Sequence, residues 1–266
     1  MLMRKLIAIT LVLAFSACAT VPITGRKQLN LLAERDLIGM SITQYDDFLS
    51  QSNVLPDTDP RTQQVKRVGA KIESACKKFM KSVGKSSSIK NFVWEFNVVD
   101  DETINAWCMP GGKIVFYTGI LPVCETDDGV AVVMGHEIAH AVARHGNERM
   151  SQQMTLQLGG AAVSAAMSQK PGLTQDLFNL SYGVGSQLGS LAFSRKHETE
   201  ADKMGLVFMT IAGYDPNEAV DFWQRMSAQG GGKPPELLST HPADDRRVAD
   251  LREFIPNARA YAKSVK

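Results

Sequence analysis

Residues 136–140 read His-Glu-Ile-Ala-His, and no other stretch restricts the fold so strongly, because two imidazoles four positions apart work together only on a helix. At 3.6 residues per turn His136 and His140 lie roughly 40° apart on one face, where two ring nitrogens reach one ion. Glu137 projects beside that pair, placed to take a proton from water that the ion acidifies. Thr126-Asp127-Asp128 offers N-cap oxygens, residues 130–142 contain no proline, and Gly146 is the expected C′ residue. Val132, Val133, Met134, Ile138, Ala141 and Val142 make the helix apolar nearly all round, hence buried. Two histidines and a glutamate inside such a helix are costly without partners, and a metal supplies them.

A match of this size arises by chance in on the order of one chain in a hundred of this length, so a second segment has to support it. Residues 194–202 read Ser-Arg-Lys-His-Glu-Thr-Glu-Ala-Asp and run into the mostly apolar stretch 204–211, which predicts a second buried helix. On it Glu198, Ala201, Asp202 and Gly205 share one face, whereas Glu200 lies about 200° from Glu198. Glu198 is therefore the expected third ligand. Asp202, one turn on, is placed to accept the free N–H of a ligating histidine. Glu200 is expected to be a solvated carboxylate. His145, about 140° round the helix from His140, and His197, facing away from Glu198, are expected behind the ligands or at the surface.

The His136–His140 motif, the later Glu198-Thr199-Glu200-Ala201-Asp202, and Ser239-Thr240-His241-Pro242 with Arg247 six positions after the histidine resemble the M48 family of metallopeptidases. The resemblance runs from about Gln28 to the end. Asn105-Ala106-Trp107-Cys108-Met109-Pro110-Gly111-Gly112 followed by Lys113-Ile114-Val115-Phe116 also resembles the family's approach to its edge strand. The family implies one Zn2+ per chain on His136, His140 and Glu198, with Glu137 as general base. It implies for His241 a place over the metal, as a fourth ligand of a latent form that must move for substrate, or an oxyanion-stabilising role. Arg247 is expected to make an ion pair or to orient the site. The implied fold is α+β and mainly α-helical, a zincin-type peptidase with a small β-sheet packed on the histidine helix. The metzincin pattern is absent, since Ala143 and Gly146 stand where it requires glycine and a third histidine.

With 266 residues, 44% of them hydrophobic, the chain can bury one sizeable core behind a leader. Arg4-Lys5 precede a ten-residue apolar stretch, Leu6–Phe15, too short to span a bilayer but suited to a signal peptide over residues 1–17. Phe15-Ser16-Ala17-Cys18 resembles a bacterial lipobox, so Cys18 is the expected lipidation site, residues 18–28 a lipidated tether, and 29–266 the peptidase domain. Ala19 after that cysteine favours the periplasmic face of the outer membrane; ordinary cleavage would leave a soluble periplasmic protein. A formal net charge of +1 without a basic run argues against nucleic acid as a partner. Cys76, Cys108 and Cys124 are either one disulfide plus a thiol or three buried thiols.

Helical spacing is expected over 33–49 and 62–83, and alternation predicts a strand over 92–99. Pro110-Gly111-Gly112 turns into a second strand, Lys113, Ile114, Val115, Phe116 and Tyr117, expected to be the edge on which an extended substrate pairs. Residues 157–191, rich in Gly, Ala and Ser, suggest a helical hairpin or flap beside the cleft, and Gly230–Gly232 a loop before His241. The expected activity is zinc endopeptidase cleavage of polypeptides, specifically misfolded or misassembled envelope proteins. The competing expectation is a chaperone-like outer-membrane assembly factor whose zinc site is latent or structural.

Overall fold

The computed structural model describes residues 18–158, 171–182, 193–229, 235–241 and 246–265. The expected signal peptide, the Gly230–Gly232 loop, and residues 159–170 and 183–191 of the expected flap lie outside them. Strands β1 (Cys18–Thr20) and β2 (Lys27–Leu29) form an antiparallel hairpin, followed by helices α1 (Glu34–Gln51) and α2 (Pro60–Ser82). α2 starts where Asp59 accepts the Arg61 N–H and proline takes the first helical position. Its Val65, Val68, Ile72, Cys76 and Phe79 are all buried, as their 3.6-residue recurrence predicts.

Strands β3 (Glu95–Val99), β4 (Ala106–Met109) and β5 (Lys113–Tyr117) form one sheet in the order β3-β5-β4. β3 runs parallel to β5, and β4 antiparallel to it. The expectation of an edge strand at Lys113–Tyr117 is therefore corrected: β5 is the centre of the sheet, and β3 and β4 are its edges. All five β5 residues are buried, the signature of a strand covered on both faces and both sides. Lys113 survives there because its Nζ donates to Glu95 Oε2 at 2.8 Å.

Helix α3 (Asp127–Val142) carries the histidine motif, and the Thr126 hydroxyl caps it by accepting the Gly129 N–H at 3.2 Å. It does not run to Gly146. Ala143 is its C-cap, Arg144 turns the backbone into the left-handed region at φ 57°, and α4 (His145–Leu158) begins at once. Gly146 thus sits in the first turn of a new helix, where a Cβ would strike the Tyr182 hydroxyl. The remaining helices longer than two turns among the described residues are α5 (Pro171–Tyr182), α6 (Arg195–Ile211), α7 (Glu218–Ala228) and α8 (Arg247–Ser264). Every residue of α3 from Gly129 to Val142 is buried, because α2, α6, α7 and β4 surround it.

Two glycines set the closest crossing. A Cβ at Gly205 would lie 2.9 Å from the His136 backbone nitrogen, and one at Gly135 would lie 3.0 Å from the Gly205 carbonyl oxygen. Backbone therefore touches backbone, and α6 brings Glu198 against the histidines. Overpacking such a contact costs ~1–3 kcal/mol, so Gly205→Ala is expected to lower Tm by about 2–12 °C in a domain of this size; differential scanning calorimetry checks this.

The stretch read as a tether is a docked hairpin. Val21 is buried in the main core, Gln28 Nε2 donates to the Ala143 carbonyl at 2.9 Å, and the Leu31 N–H donates to Ser151 Oγ at 2.9 Å. Cys18 opens β1; its side chain lies outside the described residues. Cys76, Cys108 and Cys124 are free buried thiols, the second of the two readings left open, and burial raises the pKa of each above its ordinary value. Among the described residues no helix is long and apolar enough to cross a membrane.

Candidate metal centre

One turn of α3 presents two imidazoles to the same point: His136 Nε2 lies 3.1 Å from His140 Nε2. From α6, Glu198 reaches both, with its Oε2 3.4 Å from His136 Nε2 and its Oε1 3.4 Å from His140 Nε2. His241 follows the one-turn helix Glu236–Thr240 and closes the group, its Nδ1 3.1 Å from Glu198 Oε1 and 3.2 Å from His136 Nε2. One donor atom from each of these four buried residues lies within 4.8 Å of the others. Three imidazole nitrogens and a carboxylate oxygen are a donor set that suits a four-coordinate metal of zinc's character.

Polar atoms at the centre are left for such an ion. Among the described residues, Glu198 Oε2, with Arg247 Nη1 as an ion-pair partner 3.3 Å away, and Glu137 Oε1 are buried without a hydrogen bond, a state that a bound cation or water relieves. Glu137 Oε1 faces His241 Nε2 at 3.6 Å. Burial raises the Glu137 pKa, an effect moderated by the neighbouring His241 and His136. Burial also pushes Glu198 up, but His241, His136 and His140 outweigh it and hold its carboxyl well below the usual range. At His140 burial dominates and keeps the ring well below the usual imidazole value, which favours the neutral, ligating form.

Outside the four donors, His136 Nδ1 lies 2.9 Å from Asp202 Oδ1. Arg247 Nη2 donates to that same oxygen at 2.6 Å, and its guanidinium carbon sits 3.3 Å from the centre of the Trp223 ring. Asp202 thus accepts the outer N–H of His136 and leaves Nε2 as the inward donor. Arg247, itself buried, neutralises the carboxylate and fixes it in place.

Glu200, expected to be solvated, and His145 and His197, expected behind the ligands or at the surface, are all buried. Glu200 is 4% exposed, not solvated, because the docked hairpin covers that side of α6: it accepts from Arg26 Nε at 2.9 Å and from the Thr24 hydroxyl at 2.7 Å. His145 and His197 are buried and stacked, with ring centroids 4.6 Å apart. His145 Nδ1 lies 3.1 Å from His140 Nδ1, behind a ligand as one of the two expected placements had it.

A cleft of about 530 Å³ opens over the group, lined among others by Ala106, Cys108, Met109, Glu137, His140 and His241. β4 forms one wall. The Tyr117 N–H donates to the Asn105 carbonyl at 3.1 Å, so antiparallel alternation turns the backbone groups of Ala106 and Cys108 away from β5 and along the free edge. Asn105 Oδ1 takes the Ala106 N–H at 2.9 Å. The carbonyl of Ala106 and both backbone groups of Cys108 remain directed outward. These residues were missed as the edge; the signal was the unbroken burial-type run Ile-Val-Phe-Tyr of β5, which marks a central strand.

The model of peptidase family M48 matches residues 66–255, which contain His136, Glu137, His140, Glu198 and His241. Mitochondrial metalloendopeptidase OMA1 of Schizosaccharomyces pombe is 34% identical over 248 residues, covering 92% of this chain and 68% of that protein. The mitochondrial metalloendopeptidase OMA1 of Homo sapiens is 33% identical, covering 89% of this chain and 46% of that one. The beta-barrel assembly-enhancing protease of Escherichia coli is 29% identical over 181 residues, covering 65% and 36% respectively. This chain therefore spans about two thirds of the fission-yeast relative and less than half of the human one. A family match across most of the chain, and identity of this level with named metalloendopeptidases along nearly all of it, show that the chain belongs to peptidase family M48.

Proposed function

We propose that the chain is a zinc-dependent endopeptidase in which His136, His140 and Glu198 hold the metal and Glu137 is the general base. The observation that carries this reading is the convergence of four buried donor side chains beside an unbonded glutamate oxygen, with His140, His241 and Glu137 lining one cleft. When bound, zinc supplies Lewis acidity, lowering the pKa of water and polarising a carbonyl. Glu137 takes the proton of the attacking water and later passes it to the leaving amine. The outward backbone groups of Ala106 and Cys108 pair with an extended substrate segment and draw its scissile carbonyl past Glu137. Main-chain pairing carries little sequence information, so the requirement is an unstructured stretch rather than a motif.

His241 is the gate. Its ring lies between Glu137 and Glu198, where it fills the place a substrate carbonyl needs, and holds the site in a latent form until it moves. The substrates in this reading are unfolded or misassembled envelope proteins, and the chain is anchored by lipid on Cys18 at the periplasmic face of the outer membrane. The lipobox-like Phe15–Cys18 supports the anchor; the similarity to a beta-barrel assembly-enhancing protease of Escherichia coli supports the envelope setting. The assembly-enhancing role in that relative's name is the ground for a second reading, in which the cleft holds client chains.

The test is cleavage of two substrates by the purified mature protein: an unfolded casein and a natively folded globular protein. Cleavage of casein at scattered sites, with the folded substrate left intact, is expected. Stable capture of casein without new termini would move the account to the holding function.

A further inference from the structure

Each of the two histidine ligands is backed by a carboxylate that an arginine holds, but the two arginines come from opposite ends of the chain. Behind His136 stand Asp202 and Arg247. Behind His140 the line is longer. His140 Nδ1 lies 3.1 Å from His145 Nδ1, His145 Nε2 lies 3.2 Å from Glu200 Oε2, and Glu200 is gripped by Arg26 through Nε and Nη2 at 2.9 Å each. Arg26 also forks onto Glu148, Nη1 to Oε1 at 2.6 Å and Nη2 to Oε2 at 2.7 Å. Glu148 Oε2 in turn lies 3.1 Å from Nε2 of His197, the ring stacked on His145.

The order of donors along this line is fixed by its ends. Ionised Glu200 only accepts, so His145 carries its proton on Nε2 and presents a lone pair at Nδ1. That lone pair accepts the Nδ1–H of His140, which leaves the His140 Nε2 lone pair directed at the cluster. Ligating histidines take their tautomer and ring orientation from such outer contacts. Without Arg26, two almost fully buried carboxylates, Glu148 and Glu200, would face each other uncompensated, and breaking a buried pair by removing one partner is strongly destabilising. Glu200 would then have reason to turn towards solvent and release His145.

We propose that Arg26 is a positioning residue of the metal site: by holding Glu200 against His145 it orients His140, so that the site is complete only while the hairpin of residues 18–29 is docked. This rests on the zinc reading above. Its consequence is that zinc affinity reports the seating of the segment that starts at Cys18. The loop between β1 and β2, which contains Thr24 and Arg26, is a working part of the centre and more than a surface turn.

The experiment is a zinc competition titration against a chromophoric chelator on the mature chain, with the visible d–d spectrum of the cobalt-substituted protein recorded for each variant. Arg26→Ala is expected to weaken zinc binding by about 10–100-fold and to change the cobalt spectrum. Arg26→Lys, a point charge that cannot fork onto both carboxylates, is expected to fall between. Gln28→Ala cuts the hairpin's bond to the Ala143 carbonyl without touching the line to His140, and is expected to keep affinity within about twofold and leave the spectrum unchanged, while melting earlier. Should Arg26→Ala not fold, His145→Phe interrupts the same line with the hairpin still clamped, and the same loss is expected of it. Unchanged affinity and spectrum in Arg26→Ala or His145→Phe would overturn the proposal, as would an equal loss in Gln28→Ala. A wild-type chain that takes up no stoichiometric zinc would instead sink the zinc reading itself.

Discussion

Glu137→Gln is expected to keep its zinc and its fold and to lose peptide cleavage by about 10²–10⁴-fold, the usual range for a positioned acid–base group. On the barrier this is about 3–5 kcal/mol. The amide has the shape of the carboxylate but cannot take a proton from water or hand one to the leaving amine. Its effect on stability should run the other way. Glu137 is 2% exposed and its Oε1 makes no hydrogen bond among the described residues, so the native charge costs desolvation that a neutral amide avoids. A variant that melts at or above the wild-type temperature while failing to cut is the pattern of a residue retained for chemistry. Calorimetry, zinc analysis and a casein assay on one preparation check all three parts. Full activity in this variant would remove Glu137 from the mechanism.

The second large effect is expected at His241, with the opposite sign for turnover. His241 contacts Glu198, His136 and Glu137 together and is 3% exposed; in the proposed reading substrate reaches the cluster only after it leaves. If the open arrangement is populated at about one part in a hundred, removing the gate raises the competent fraction roughly 100-fold, and at one part in ten roughly tenfold. His241→Ala is therefore expected to cut casein about 10–100 times faster while binding zinc more weakly, having lost one donor. Turnover rising as metal affinity falls is a combination that general destabilisation does not produce. A histidine that stabilised the oxyanion would give the reverse, a loss of about 10²–10³-fold in kcat, and that result would replace the gate with a catalytic role.

The parts of the site that sequence made legible are those that metal ligation itself constrains. Two imidazoles must be one helical turn apart, and a carboxylate that faces them from a buried helix must share a face with a small residue that lets the helices touch; Gly205, on the face of Glu198, is that residue. Asp202 follows because a ligating imidazole needs an outer acceptor, whereas Arg247, its cation, was expected only from the resemblance to the family. What was not legible depends on contacts between distant segments. Strand order is one case: nothing in Ala106–Met109 taken alone says that it pairs on only one side, although the all-buried β5 beside it does.

The break between α3 and α4 is another. Helix periodicity carried the reading to Gly146, yet the chain turns at Ala143 and Arg144, and this places His145 against His140 instead of a third of a turn away. The hairpin is the largest omission. Thr20 to Lys27, with its proline and glycine, has the composition of a linker, and the carboxylates that pair with Arg26 lie 122 and 174 residues further along. For the same reason Glu200 looked solvated: its helical face was assigned correctly, but the cover over that face comes from the far end of the sequence.

The central claim is that one zinc ion held by His136, His140 and Glu198 makes this cluster a peptidase. Its most direct test is casein hydrolysis by chelator-stripped wild type and His241→Ala as zinc is added back. No cleavage in the stripped protein, with activity rising to saturation at one equivalent of zinc per chain, is the predicted result. Cleavage that persists without metal, or fully zinc-loaded wild type and His241→Ala that both cut nothing, would contradict it.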